Sequence, residues 1–263
     1  MQWLGTAGFR IEHRGHVVLI DPYLTRASLA QCILGPVSPD EQVLARETAA
    51  ADAILVGHTH FDHALDVPAI ARRTGARVFG SWSAASLCLS HGVAPGRVHI
   101  VESEGSSVQS GPFRIRFVPS HHSAFLAGHA PFPGELAASD ARPMRVEQYR
   151  SGAVFIIELE VDGRCLVHLG SAAVPQHGQH RHAALVLLCA AGWRSSPALP
   201  ERLIERYTPD TVLLSHWDDF FRPLSLPARA IPGIGLEALA RRIRNHSAQT
   251  RVGTVPLLGT LSI

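Results

Sequence analysis

The sequence predicts an α/β protein in which two mixed β-sheets form one domain with helices outside them. Three observations favour this class: strand-like and helix-like segments recur in both halves of the 263-residue chain, 46% of the residues are apolar, and no linker separates the halves. Such a chain is long enough to bury a substantial core. Residues 1–263 are therefore predicted to form a single domain.

The first half begins with two strand-like segments, WLGTAGFRIEH and HVVLIDPYL, on either side of a predicted turn at Arg14-Gly15. The apolar run AILVGH favours a buried strand that leads into a loop. LDVPAIARRTG and SWSAASLCLSHG are predicted to be helices, with the short strand RVFGS between them. RVHIVE, SSVQSG and FRIRFVPS are predicted to be strands separated by turns.

Residues 123–150 contain several Gly and Pro residues and show no period, which predicts an irregular, lid-like insertion. After it, GAVFIIELEVDGRCLVHLGSA predicts a β-hairpin with its turn at Asp162-Gly163. ALVLLCAAGW and DTVLLSH are predicted to be buried strands, and PALPERLIERY and LEALARRIRNH to be helices. RVGTVPL is the last strand-like segment.

The composition argues against several kinds of partner. A formal net charge of +2 gives no bulk attraction for nucleic acid, and no apolar run approaches the ~20 residues needed to span a membrane. Four cysteines, at positions 32, 88, 165 and 189, lie far apart without a CxxC pair, which is typical of core residues in a reducing compartment. The N-terminal segment lacks the layout of a signal peptide. We expect a cytoplasmic protein with a small-molecule substrate, and a homo-oligomer is left open.

The segment HTHFDH places four metal-binding side chains in one short stretch: His58, His60, Asp62 and His63. Zinc takes imidazole nitrogens and carboxylate oxygens as ligands, with bonds of roughly 2.0–2.2 Å. If the loop after the AILVGH strand curls, His58 and His60 can face one metal while Asp62 and His63 face another about 3.5–4 Å away. Chance pairs are common among 16 histidines, but this spacing at the end of a buried strand favours a metal site.

HTHFDH resembles the HxHxDH signature of the metallo-β-lactamase-fold superfamily. The opening WLGTAGFRIEHRGHVVLIDP is similar to the WLGxxGF…DP opening of the branch that includes ascorbate-phosphate lactonases and N-acyl-phosphatidylethanolamine phospholipases. The companion motifs follow in family order along essentially the whole chain. The resemblance implies a four-layer αββα sandwich, with the two mixed sheets in the middle, and a metal-dependent hydrolase.

The resemblance also implies further site residues. The family places a histidine three positions after a proline that follows a later strand, so Pro119 in FVPSHHS selects His122 and leaves His121 as a neighbour or a surface residue. The last family histidine, a ligand of the second metal, matches His216 in DTVLLSH. The family aspartate of the DP motif matches Asp21, which would orient a metal-binding histidine or simply cap its turn.

One motif departs from the family pattern. The family has a Gly-Asp pair whose aspartate bridges both metals, whereas this sequence has Gly170 and Ser171. Because serine is neutral and a poor zinc ligand, three alternatives are open: one tight and one weak metal, two metals bridged by water or another side chain, or a degenerate site. Ser171 would bond the bridging water in the second case. His168 is a candidate replacement ligand, although a strand residue at that position can face away from the site.

The expected activity is hydrolysis of a small ester, lactone or phosphoester by a metal-bound hydroxide. The expected ligands are His58, His60 and His122 at the first metal, and Asp62, His63 and His216 at the second. Asp62 would orient the hydroxide or take its proton. The cofactor is expected to be one or two Zn²⁺ ions, with iron or manganese as alternatives.

Trp217 and Asp218 directly follow the last candidate histidine. Trp217 is a candidate wall of an apolar substrate pocket or an anchor in the core. Asp218, like Asp219, is a candidate proton donor to the leaving group or a loop cap. Two other functions stay open: an iron-dependent redox member of the same fold, and a degenerate protein that binds metal or ligand without catalysis.

Overall fold

The computed structural model of the chain describes residues 1–124, 129–136, 143–171, 173–174, 179–196 and 198–262. Within these ranges the strands form two mixed sheets, and helices pack on the outer face of each sheet. The predicted four-layer αββα sandwich is therefore confirmed. That residues 1–263 form a single domain stays a prediction.

The first sheet is built from the first part of the chain, with its strands side by side in sequence order. Its strands are β1 (Gln2–Gly5), β2 (Gly8–His13), β3 (His16–Ile20), β4 (Ala53–Leu55), β5 (Arg77–Gly80) and β6 (Val98–Ile100). β1, β2 and β3 pair antiparallel, whereas β3, β4, β5 and β6 pair parallel.

The second sheet repeats this arrangement with the later strands. Its strands are β7 (Ser106–Ser110), β8 (Phe113–Ser120), β9 (Val154–Val161), β10 (Arg164–Leu169), β11 (Leu185–Cys189), β12 (Thr211–Ser215) and β13 (Arg251–Gly253). β7 to β10 pair antiparallel, and β10 to β13 pair parallel. Asp162 and Gly163, which join β9 to β10, both have positive φ angles of 48° and 74°, so the predicted tight hairpin turn is confirmed.

The helices lie mainly in the crossovers that parallel pairing requires. They are α1 (Leu29–Leu34), α2 (Glu41–Glu47), α3 (Phe61–Ala64), α4 (Val67–Thr74), α5 (Trp82–Ser90), α6 (Leu199–Tyr207) and α7 (Leu236–His246), with single 3-10 turns at Pro95–Arg97, Val146–Gln148 and Trp193–Ser195. The sequence patterns did not predict α1. Its signal is a capping box, in which the Ser28 side chain accepts from the Gln31 N–H and the Gln31 side chain bonds back to Ser28.

Alternate residues of each strand enter different cores, as the two-residue period of a strand requires. Val18 and Ile20 of β3 face the core between the sheets, whereas Val17 and Leu19 pack under the helices of the first sheet. The second sheet shows the same alternation. All four cysteines are buried, and none of them forms a disulfide within the described residues.

Part of the predicted lid-like insertion, residues 125–128 and 137–142, lies outside the described residues. Among its described residues, Met144 pairs with Val37 in an isolated bridge, and a 3-10 turn follows. No helix in the described ranges is long and apolar enough to cross a bilayer.

Candidate metal centre

The candidate residues follow strands whose carboxyl ends lie at one edge of their sheet. β3 and β4 are parallel, so Asp21 and His58 emerge at the same edge. β8 and β10 are both antiparallel to β9, and β12 is parallel to β10 through β11. His122, Ser171 and His216 therefore leave the second sheet in a common direction.

The HTHFDH loop curls at once into the single turn of α3, with His60 as the residue before the turn. Its backbone is tied down: the Thr59 N–H donates to the Ser151 carbonyl (3.0 Å), and the Phe155 N–H donates to the Gly57 carbonyl (2.9 Å). This curl brings residues one to five positions apart around one point, as the sequence predicted.

Three groups of potential metal ligands form there, and within each the ligand atoms lie within 4.8 Å of one another. We name His58, His60 and His122 the first triad, and Asp62, His63 and His216 the second triad. The third group combines Asp21 with His58 and His63, one member from each triad. The structure thus brings together the six residues that the sequence analysis proposed as ligands.

His58 is the centre of the cluster and the strongest indication of a metal. Its side chain is buried, and its ring centroid lies 3.9 Å from that of His63 and 5.0 Å from that of His122. Within the described ranges, neither ring nitrogen has a hydrogen-bond partner. Buried polar atoms are normally paired, so two lone nitrogens among convergent imidazoles fit a divalent metal ion. Burial, followed by the neighbouring histidines, holds the pKa of His58 well below its usual value and keeps the ring neutral.

The other histidines are oriented by carbonyl and carboxylate oxygens. His60 Nε2 lies 2.9 Å from the Pro131 carbonyl oxygen, and His122 Nδ1 lies 2.8 Å from the Ser123 carbonyl oxygen. Because a carbonyl oxygen only accepts, these nitrogens carry the ring protons. The opposite nitrogen of each ring is then free to bind a metal, an arrangement common at metal-binding histidines.

Asp21 orients His63 in the same way. Its carboxylate accepts from His63 Nδ1 (3.0 Å) and from the Gly57 N–H (2.6 Å). The fit around it is tight: a Cβ at Gly170 would lie 2.6 Å from Asp21 Oδ2, so only glycine fits there. The first residue of the Gly-Ser pair therefore keeps room for the carboxylate that supports His63.

Asp62 carries the negative charge of the second triad. One carboxylate oxygen lies 3.2 Å from His216 Nε2 and 3.8 Å from His63 Nε2. Burial opposes ionisation, but the charges of His63 and His216 outweigh it and hold the pKa of the Asp62 carboxyl well below its usual range. The Asp62 carboxyl is therefore ionised.

His216 is held in place by its own backbone. Its φ of 52° is left-handed, and its N–H donates to the Thr6 carbonyl (2.7 Å). The Thr6 N–H donates in turn to the Asp218 carboxylate (3.0 Å), which forms a buried ion pair with Arg26. Asp218 thus positions the loop around His216. Since Arg26 and Thr6 occupy both its oxygens, the hypothesis that Asp218 donates a proton to the leaving group is not supported by the geometry.

Ser171 does not replace the missing carboxylate. Its hydroxyl oxygen accepts the Ser123 N–H at 2.8 Å and lies 3.4 Å from the Ser123 hydroxyl. The serine therefore joins the end of β10 to the loop that carries His122. His168, the candidate replacement ligand, lies in neither triad; its Nε2 is 2.8 Å from the Ala7 carbonyl oxygen.

Three other predicted or neighbouring residues lie around the cluster. His121 is exposed and belongs to none of the three ligand groups formed by the described residues. Trp217 packs against Trp3, with ring centroids 5.1 Å apart, and so anchors the loop in the core. Phe132 was not predicted from the sequence; its ring lies 6.4 Å from that of His60, and the residue is 38% exposed. The Pro/Gly-rich segment around it was the only signal.

Comparison with known proteins identifies the family. A family model described as a beta-lactamase superfamily domain matches residues 1–213, and the chain therefore belongs to the metallo-β-lactamase superfamily. A structure of Igni18, a metallo hydrolase from the hyperthermophilic archaeon Ignicoccus hospitalis, has a similar fold, with a TM-score of 0.58 and 16% identity over 98% of this chain and 94% of that one.

Curated relatives match part of the chain. A UPF0173 metal-dependent hydrolase of Carboxydothermus hydrogenoformans is 34% identical over 133 residues, covering 50% of this chain and 52% of the relative. Another from Pelotomaculum thermopropionicum is 30% identical over 173 residues, covering 65% of this chain and 61% of the relative. The chain thus matches between about half and three fifths of the length of these two relatives.

Proposed function

We propose that the chain is a metal-dependent hydrolase that acts on a small-molecule ester, lactone or phosphoester. The observation that carries this proposal is the pair of triads around His58, whose ring nitrogens are buried without partners in the described ranges. The names of the curated relatives, metal-dependent hydrolases, support the reaction class. Family membership supports the same class.

The metal proposed is zinc, because five imidazoles and one carboxylate match the nitrogen and oxygen ligands that zinc prefers. The first triad would hold one ion and the second triad another. A divalent ion in such a site polarises a substrate oxygen and lowers the pKa of water, which supplies a nucleophile near neutral pH.

The protein's own groups have distinct roles in this proposal. Asp62 is ionised and can accept a hydrogen bond from an attacking water and so orient it, and the Asp21 carboxylate keeps the lone pair of His63 directed into the site. Asp218 and Arg26 fix the loop of His216. Burial of the triads excludes bulk water and strengthens the electrostatic interactions within the site.

A small substrate is favoured by charge. The net charge of +2 provides no field for a long polyanion such as RNA. Ser171 favours one tightly and one weakly held metal, because the carboxylate that would neutralise and join two ions is replaced by a hydroxyl committed to Ser123. We propose a cytoplasmic location from the cysteine pattern alone.

The test is metal content by elemental analysis of protein purified without added metal, beside a His58→Ala variant. We expect one to two zinc ions per wild-type chain, and their loss in the variant, because His58 belongs to two of the three ligand groups. His182→Ala, which removes an exposed histidine paired with Asp210, is the matched control and should keep its metal. Wild-type protein without any metal would refute the proposal, and iron in place of zinc would favour the redox alternative.

A further inference from the structure

A cavity of about 530 Å³ opens beside the first triad, and the triad's His122 lines it. Its size is within the range of small-molecule sites. The described wall is made largely of small side chains, including Ala173 and Ala198, which leave the space open. A substrate whose reacting bond lies at the triads can extend into this cavity.

The charged side chain that lines the cavity is basic. Arg202, in the first turn of α6, lines it together with His121 and Ser195, and no acidic residue does so among the described residues. The Arg202 side chain is exposed, and within the described ranges its guanidinium makes no ion pair or side-chain hydrogen bond. Most arginines near it are engaged: Arg242 pairs with Glu201, and Arg194 lies over the Trp193 ring. Among the described residues of the cavity wall, Arg202 is the arginine available to a ligand.

We propose that this cavity is the subsite for an anionic group of the substrate, a carboxylate or phosphate oxyanion held by Arg202. A guanidinium binds both kinds of oxyanion through two parallel N–H donors. Ser195 supplies a hydroxyl donor at the same wall, and His122 connects the subsite to the metal cluster. The assignment of the anion to a substrate rests on the proposed function, and it narrows the substrate to small acidic molecules.

Binding is tested on the metal-loaded protein by calorimetric titration with inorganic phosphate and, separately, with succinate, at constant ionic strength. We expect Arg202→Gln to weaken binding of the preferred anion about tenfold, the usual scale for one charge-assisted contact. The anion that loses more affinity identifies the oxyanion the subsite takes.

Arg241→Gln is the matched control, because Arg241 is also an exposed helix arginine but does not line the cavity. It should change affinity less than twofold. Equal losses in both variants would mean that net charge alone attracts the anion, and unchanged binding in Arg202→Gln would mean that anions bind elsewhere; either result overturns the proposal.

A kinetic comparison separates this proposal from the proposed function. The two probes are 4-nitrophenyl butyrate and mono-4-nitrophenyl succinate, which share a leaving group and differ in the charge of the acyl chain. We expect Arg202→Gln to raise KM about tenfold for the succinate ester and to leave the butyrate ester unchanged. If the metal-loaded wild-type protein hydrolysed neither ester, the proposed ester hydrolysis would be contradicted. The calorimetric titration would still test whether Arg202 binds an anion in the cavity.

Discussion

The two triads are built in different ways. In the first triad, His58 and His60 come from one short loop and only His122 comes from the second sheet. Burial lowers the pKa of all three imidazoles, which keeps them neutral. The second triad contains a carboxylate, is supported by Asp21, and takes His216 from a loop held by a buried ion pair. The first triad therefore depends on the orientation of rings, and the second depends on charge and on contacts distant in sequence.

This difference has a physical consequence. The family's bridging aspartate is absent, and the two carboxylates of the described cluster are Asp62, a member of the second triad, and Asp21, which accepts from His63 of that triad. We therefore expect substitutions in the two triads to have separable effects on metal content, stability and rate.

The largest expected effect follows from removing the charge of the second triad. Asp62→Asn keeps the size of the side chain but removes its negative charge, so kcat/KM should fall by about 10²- to 10³-fold. Steady-state hydrolysis of an activated ester, with metal content measured in parallel, checks this.

Asp210→Asn provides the matched control, since its carboxylate also contacts a histidine, His182, but at an exposed position. That variant should keep wild-type activity. If the kcat/KM of Asp62→Asn were within a factor of three of the wild-type value, the charge of the second triad would not be needed for catalysis.

A second effect tests how His216 is held. Asp218→Asn leaves Arg26 buried without its counter-charge, which should lower the free energy of unfolding by about 3–5 kcal/mol. The second triad should lose metal affinity while the first keeps its ion. Urea unfolding and metal titration measure the two results.

The control here is Asp162→Asn, which breaks an exposed ion pair with Arg14 and should change stability by less than about 1 kcal/mol. If Asp218→Asn lowered the free energy of unfolding no more than this control does, the ion pair of Arg26 and Asp218 would not determine how His216 is held.

The smallest expected effect comes from restoring a carboxylate at position 171, which should reduce the difference in metal affinity between the two triads. Ser171→Asp restores a carboxylate that can still accept the Ser123 N–H, and it should tighten the weaker metal by about tenfold or more. Ser171→Asn, of similar size and without charge, should not. Competition with a chromophoric chelator gives the two affinities, and equal values for both variants would contradict a role for charge.

Much of this site is predictable from the sequence because its ligands follow strands. The HTHFDH segment is local, and Pro119 selected His122, which the structure places in the first triad while His121 remains exposed. The role of Asp218 was not predictable, since Arg26 lies 192 residues away and only the fold brings the two charges together. That the described ligands bind metal stays a prediction.

The fold was predictable for the same reason. Alternating or continuous apolar runs identify strands that pack on one or two faces, and β4, β11 and β12 were each recognisable as buried runs. α1 was missed because only one of its residues, Cys32, is buried, so it has no apolar stripe to detect. Its capping residues, rather than its periodicity, define it.

The four buried cysteines can report local unfolding of the chain, because each becomes accessible to an alkylating reagent only when its surroundings unfold. Cys32 and Cys88 lie on helices of the first sheet, whereas Cys165 and Cys189 lie on β10 and β11 of the second. Burial raises the pKa of the Cys88 thiol to about 12 and that of Cys165 to about 11, so neither forms a reactive thiolate in the folded protein. Alkylation followed by peptide mass analysis would therefore record, without any introduced label, which half of the sandwich unfolds first.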